Sequence, residues 1–316
     1  MNYYSIKKGV SGKVALEDLK ASRSAKKAFG AISQVDFINA LTDIIEEANM
    51  KYEHGVIYYK NNSGMNPGVE LLDITQEHPD NQAEWAPIEA EDGELLHHPK
   101  LLLFKRMIGT IKLTSFENEE VSGTLAFSIS QSGFEVAVGT NVKVCSNMSI
   151  LCATHRAKSF GKDGVNPQEL LDIVKGWMVN YADIHGENLR RIEAMKSKTL
   201  TLKEVNSYFG YLYGDAITNN DVELKRMSDH SIVPLNVSSV SKGHHEFLKE
   251  AYANVEMETI TIWQLYNYIT LYLTAEHVDT INIIEQNAIL SEYLVLQSGY
   301  TPIDAPSNTS EDDLTV

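Results

Sequence analysis

GTLAFSISQSGFEVAVGTNVKVCS, residues 123–146, is the stretch whose reading decides the fold. Leu125, Phe127 and Ile129 alternate with small or polar residues, the period of an antiparallel strand with one face buried. Phe134 to Ser146 reads as the returning strand, and Gln131-Ser132-Gly133 is a short, glycine-containing hairpin connection between the two. Gly139 marks a bulge or a close backbone approach. Upstream, LLLFKRMIGTIKLTS (Leu101 to Ser115) is a third strand candidate, and VIYYK after Gly55 a fourth.

Further toward the N-terminus, Ser33 and Asp36 are spaced as a capping box. Ile38, Leu41, Ile44, Ile45 and Ala48 then recur at helical spacing, so one helix face is buried. Residues 61–99 mix proline, glycine and acidic residues without a sustained period and read as a long surface insertion. Downstream of the hairpin, Asn166-Pro167-Gln168-Glu169 is a strong helix start. Leu170, Val174, Trp177, Tyr181 and Ile184 follow at steps of three and four, with Gly176 and Gly186 weakening continuity to Met195. Thr201 opens another capping box, on a helix that stops near Gly214. Helices are also expected at Ser241 to Tyr252, Ile260 to Leu273 and Val278 to Leu296. No internal repeat and no heptad array is evident. The expectation is an α+β fold: an antiparallel sheet of three to five strands with a helix packed on one face, followed by a helical C-terminal half. The divisions are 1–165 with the insertion 61–99, a helical 166–300, and a disordered acidic tail 301–316.

The chain has 316 residues and a net charge of −16, unevenly placed. Residues 61–99 contribute −9 and residues 251–316 contribute −10, neither with a single Lys or Arg, while the rest is near neutral. A local basic face is therefore compatible with the acidic total. Two cysteines, no apolar run long enough for a bilayer and no signal-peptide pattern suggest a reducing, cytoplasmic setting and no membrane.

Cys145, Cys152 and His155 raise the question of a metal or thiol site. Their C-x6-C-x2-H spacing matches no usual zinc ligand set. If a helix starts at Ser146 or Asn147, then Met148, Leu151, Cys152 and His155 share one buried face, on which cysteine is a small hydrophobe. Ser146 and Asn147 are good N-caps for such a strand-to-helix junction and expose N–H groups to an anion. The doublets His97-His98 and His244-His245 are poor chelates and read as surface residues. No nucleotide-binding, zincin, hydrolase-elbow or EF-hand motif occurs. No catalytic residue, metal or cofactor is expected.

Basic residues cluster around the junction and beyond it: Lys143, Arg156 and Lys158, then Lys162, Arg190, Arg191, Lys196, Lys198 and Lys203. A second cluster is Lys20, Arg23, Lys26 and Lys27. Tyr208, Phe209, Tyr211 and Tyr213 follow Thr201. Basic groups beside aromatics are what a groove for single-stranded nucleic acid needs. The candidate contacts are Lys143, Ser146, Asn147, Arg156, Lys158, Arg190, Arg191, Lys196, Lys198, Tyr208 and Tyr211. The competing reading is a solvated charged face beside core aromatics.

GTNVKVCSNMSIL, LTLKEVNSYFGYLYG and TIWQLYNYITLYL, in that order and spacing, resemble an uncharacterised family of phages, plasmids and conjugative elements, closest to a Bacteroidetes branch. The matching positions are Val144, Cys145, Ser146 and Asn147, then Trp263, Tyr266 and Asn267. The chain departs from that branch at AEHVDT, where a basic-serine-tyrosine stretch is usual. The resemblance spans about residues 34–296 and implies a mobile-element setting without a defined chemistry. The element order also resembles in outline the cores of phage single-strand annealing proteins, a likeness of fold alone. The expected function is a non-enzymatic phage or mobile-element protein that handles single-stranded DNA, as an oligomer. The alternative is an acidic interaction module acting on a host factor. The expected partners are accordingly single-stranded DNA, or a host or phage protein, together with further copies of the chain.

Overall fold

The structure is a computed structural model that describes residues 2–6, 11–25, 28–29, 32–60, 69–71, 85–130, 133–142, 150–151, 155–160, 166–218, 237–254, 256–271 and 283–300. Among these, one sheet of eight strands forms the centre. Its strands are β1 (Ser11–Val14), β2 (Tyr52–His54), β3 (Ile57–Lys60), β4 (Met107–Glu117), β5 (Val121–Ser130), β6 (Gly133–Val142), β7 (Ile150–Leu151) and β8 (Arg156–Phe160). The path runs β7-β6-β5-β4-β3-β1, with β8 also on β6 and β2 also on β4, and every pairing is antiparallel. The α+β class with a helical C-terminal half is what the chain adopts. The sheet is wider than three to five strands because short strands extend both sides of the expected hairpin.

That hairpin pairs without slippage from Val121↔Val142 to Ser130↔Gly133. Gly139 therefore marks no bulge; its carbonyl instead receives the Tyr181 hydroxyl at 2.6 Å.

Both faces of the sheet are covered. On one face Ile111, Leu113, Leu125, Phe127, Ile129, Phe134, Val136 and Val138 meet helices α2 (Gln34–Glu47) and α3 (Pro167–Val179). Ser33 caps α2 as expected, its side chain accepting from the Asp36 N–H at 3.1 Å. Asn166 caps α3 with a complete capping box. On the other face Ile108, Ala126 and Ala137 meet α4 (Tyr181–Ser197), α5 (Leu202–Thr218), α6 (Val237–Ala253), α7 (Ile262–Thr270) and α8 (Ile283–Gln297). The alternation in β5 thus separates two buried faces, one large and apolar, one small and polar, and all ten residues of the strand are buried. Leu170, Leu171 and Val174 lie in the N-terminal core, so the two expected units share cores across position 165.

Three expectations need correction. The helix face expected to hold Leu151 and His155 together is not formed: Ile150 and Leu151 pair with Asn141 and Thr140, and Arg156 to Phe160 with β6. The reason is the outer edge of β6, a row of backbone groups that the returning chain satisfies. Cys145 and Cys152 lie outside the described residues. The insertion is not wholly irregular, since Val69–Leu71, Ile88–Glu89 and Leu95–His97 are short strands. Within it His97 and His98 are buried, His98 against the rings of Tyr3 and Trp85.

Candidate functional site

The small, polar face of the sheet carries the most unusual chemistry. A single cross-strand row runs Lys13, Tyr58, Ile108, Ser128, Glu135, Lys158 over six strands. Glu135 sits at 0 % exposure beneath α8. Arg156 and Lys158 of β8 approach it at 3.8 Å and 3.6 Å, ion-pair rather than hydrogen-bond distances. Both cations also reach Glu285 of α8, at 3.4 Å and 3.0 Å. Two acids and two bases therefore tie α8 to the sheet. Burial pushes the Glu135 carboxyl up to about 7; Lys158 and Arg156 oppose that shift and Glu285 adds to it. Burial likewise raises Glu292 on α8, against Arg191 and Arg156.

Beside this cluster, Tyr181 at the start of α4 inserts its hydroxyl into the hairpin. It accepts from the Thr124 N–H at 3.1 Å and donates to the Gly139 carbonyl. Gly123 leaves the room, since a Cβ there would lie 2.6 Å from that hydroxyl. His185, one turn on, contacts Thr140 Oγ1 at 3.2 Å, and burial holds its imidazole below the usual range.

The structure does not gather the sequence-derived nucleic-acid candidates into one groove. Lys143, Ser146 and Asn147 lie outside the described residues. Arg156 and Lys158 are the counter-ions of buried carboxylates. Arg190 and Arg191 both pair with Glu187, at 3.0 Å and 3.1 Å. Lys196 pairs with Glu120 and Glu193. Lys198 is exposed. Tyr208 is half-buried against Tyr293, its hydroxyl on Gln297 at 3.1 Å. Tyr211 lies on α5.

Aromatic and basic groups do meet at the opposite edge of the sheet. Among the described residues β1 has no strand on its outer side. A groove of about 670 Å³ follows it, lined by Tyr3, Tyr4, Val14, His54, Val56 and Tyr59 among others. Tyr4 and Tyr59 form its floor, both pushed up to about 12, first by burial. Val56 is 46 % exposed at its rim. Lys13 lies 5.4 Å above the Tyr58 ring, and Lys20 is near enough to help lower His54, after desolvation. Sequence reading missed this place because its parts come from positions 2–5, 13–20 and 54–59; only the N-terminal lysine cluster signalled it.

Among the described residues no helix is long and apolar enough to cross a membrane, and no group of three or more His, Cys, Asp or Glu could hold a metal ion. No family model matches the chain, and neither characterised proteins nor solved structures give a significant match.

Proposed function

We propose that this is a non-enzymatic protein of a phage or mobile element that binds single-stranded DNA along the β1 edge of its sheet. The observation that supports the reading is the juxtaposition at that edge of Lys13 and Lys20 with Tyr3 and His54, beside an open groove. Phosphates take the lysines and unstacked bases take the ring faces, a combination tolerant of sequence. The fully buried Glu135, in contrast, is tied into an internal ion network and fits no open acid–base site. Fluorescence anisotropy with a labelled oligonucleotide tests the reading. Two neutralised phosphates give a loss of about sevenfold in affinity between 50 and 200 mM salt, from a slope of about −0.7 per phosphate. Absence of binding at low salt removes the idea.

A second reading, a protein contact through the acidic insertion, is favoured by Glu89, Glu91 and Asp92. They stand exposed, with no ion pair to a basic side chain among the described residues. Capture of a host protein that is lost on deleting residues 86–94 would support this reading; capture that survives the deletion would remove it.

A further inference from the structure

Thr199 to Phe209 reads TLTLKEVNSYF, and Thr259 to Ile269 reads TITIWQLYNYI. Thr199/Thr259, Thr201/Thr261 and Tyr208/Tyr268 are identical, and Leu200/Ile260, Leu202/Ile262 and Val205/Leu265 are aliphatic in both. Each stretch is a short strand running into a helix: β9 (Thr199–Thr201) into α5, and β10 (Thr259–Thr261) into α7. Among the described residues the next helix is α6 in the first case and α8 in the second.

The correspondence is spatial as well as sequential. β9 and β10 pair antiparallel with Leu200 opposite Ile260, and Thr199 and Thr201 opposite Thr261 and Thr259. A two-fold axis through the Leu200–Ile260 pair maps that register onto itself. The flanking backbone bonds repeat: Ile262 N–H donates to the Lys198 carbonyl at 2.9 Å, and Leu202 N–H to the Glu258 carbonyl at 3.3 Å. The caps repeat too. Thr201 and Glu204 exchange bonds of 3.3 Å and 2.7 Å, Thr261 and Gln264 bonds of 3.1 Å and 2.8 Å.

Local capping rules could produce two similar caps. They do not produce the crossed helix contacts. Tyr208 of α5 meets Tyr293 of α8 edge-on, at 6.2 Å and 70°, and its hydroxyl donates to Gln297. Tyr268 of α7 meets Phe247 of α6 edge-on, at 5.6 Å and 71°, and its hydroxyl donates to Glu250. We infer that residues 198–297 are an internal duplication: two strand–helix–helix units folded about a local two-fold axis, the first helix of each packed on its own second helix and reaching with its tyrosine the second helix of the other.

The units have diverged where symmetry is not needed. Lys198 and Lys203 correspond to Glu258 and Trp263, so the ribbon face is basic on one half only. Gly243 lets α6 close on the α7 backbone, where a Cβ would lie 2.3 Å from the Tyr268 carbonyl. Counting from Phe247 and Tyr293, its counterpart is Ile289, and the α5–α8 crossing is made through side chains. One apolar core nevertheless holds both units, with Leu200, Val205, Phe209, Ile260, Leu265 and Ile269 among its members.

Double-mutant cycles in the full chain test the crossed assembly. Tyr208→Phe with Gln297→Ala, and Tyr268→Phe with Glu250→Ala, are expected to shift the urea midpoint non-additively. Tyr208→Phe with Glu250→Ala is expected to be additive. A protease site placed between Asn254 and Glu256 supplies a second measurement: after cleavage the two fragments elute together as one species. Additive crossed pairs, coupling within a unit instead, or separation of the cleaved fragments would each overturn the inference.

Discussion

At the residue scale, two buried groups carry more than their size. The Tyr181 hydroxyl is the partner of both the Thr124 N–H and the Gly139 carbonyl, each inside the sheet. Tyr181→Phe is expected to cost about 1–3 kcal/mol, because the ring still packs but two buried polar groups lose their bond; urea denaturation measures it. Glu135 is a question of pH. Its folded value, about 7, lies above the unfolded 4.5, so its contribution to stability is complete below about 4.5 and is lost as pH rises through 7. Glu292 acts in the same direction. His97, His155 and His185 act oppositely, since burial lowers them: their contribution is present above 6.5 and is lost as pH falls through their lower folded values. Glu135→Gln separates these effects: the wild type is expected to lose stability relative to the variant between pH 5 and pH 8. A gap that stays constant would mean that Glu135 is ionised throughout. Sequence reading passed over Glu135 because an isolated acid in a strand looks like one more exposed position; that β5 and β6 are covered on both faces depends on helices drawn from residues 34–47 and 167–297.

At the element scale, α8 is the informative helix. It is buried almost all round, polar Glu285, Gln286, Asn287 and Ser291 included, so no apolar stripe announces which way it faces. Glu285 gives it an orientation by binding Arg156 and Lys158 together. Glu285→Ala would leave two cations sharing one carboxylate in the interior and is expected to cost about 3–5 kcal/mol. Glu193→Ala, which loses only an exposed partner of Lys196, is expected to cost no more than about 1 kcal/mol. Comparing the two urea midpoints checks the contrast; equal losses would mean that the buried network does not anchor the helix. Helix starts were legible wherever a cap is local, as at Ser33, Asn166 and Thr201. The returning strands β7 and β8 were not, because what decides them is the unpaired edge of β6 rather than their own residues.

At the scale of the whole molecule, the sheet separates two chemistries. One end of its polar face is closed by Glu135, Glu285, Arg156 and Lys158, whose charges balance internally. At the β1 edge Lys13 covers Tyr58 on this face, the groove over Tyr4 and Tyr59 opens on the other, and Lys20 stands near His54. Composition alone showed that the acidity is confined to two stretches and that a basic face was affordable. It did not show which basic residues are consumed inside the molecule, because ion pairing is a property of the assembled sheet. The most direct measurement is therefore a comparison of salt-dependent anisotropy titrations on a labelled single-stranded oligonucleotide, using Lys13→Glu/Lys20→Glu and Lys198→Glu/Lys203→Glu. The account predicts that the first double variant weakens binding at least tenfold and flattens the salt slope, while the second leaves both nearly unchanged. Binding that is indifferent to Lys13 and Lys20, or that depends instead on Lys198 and Lys203, would contradict it.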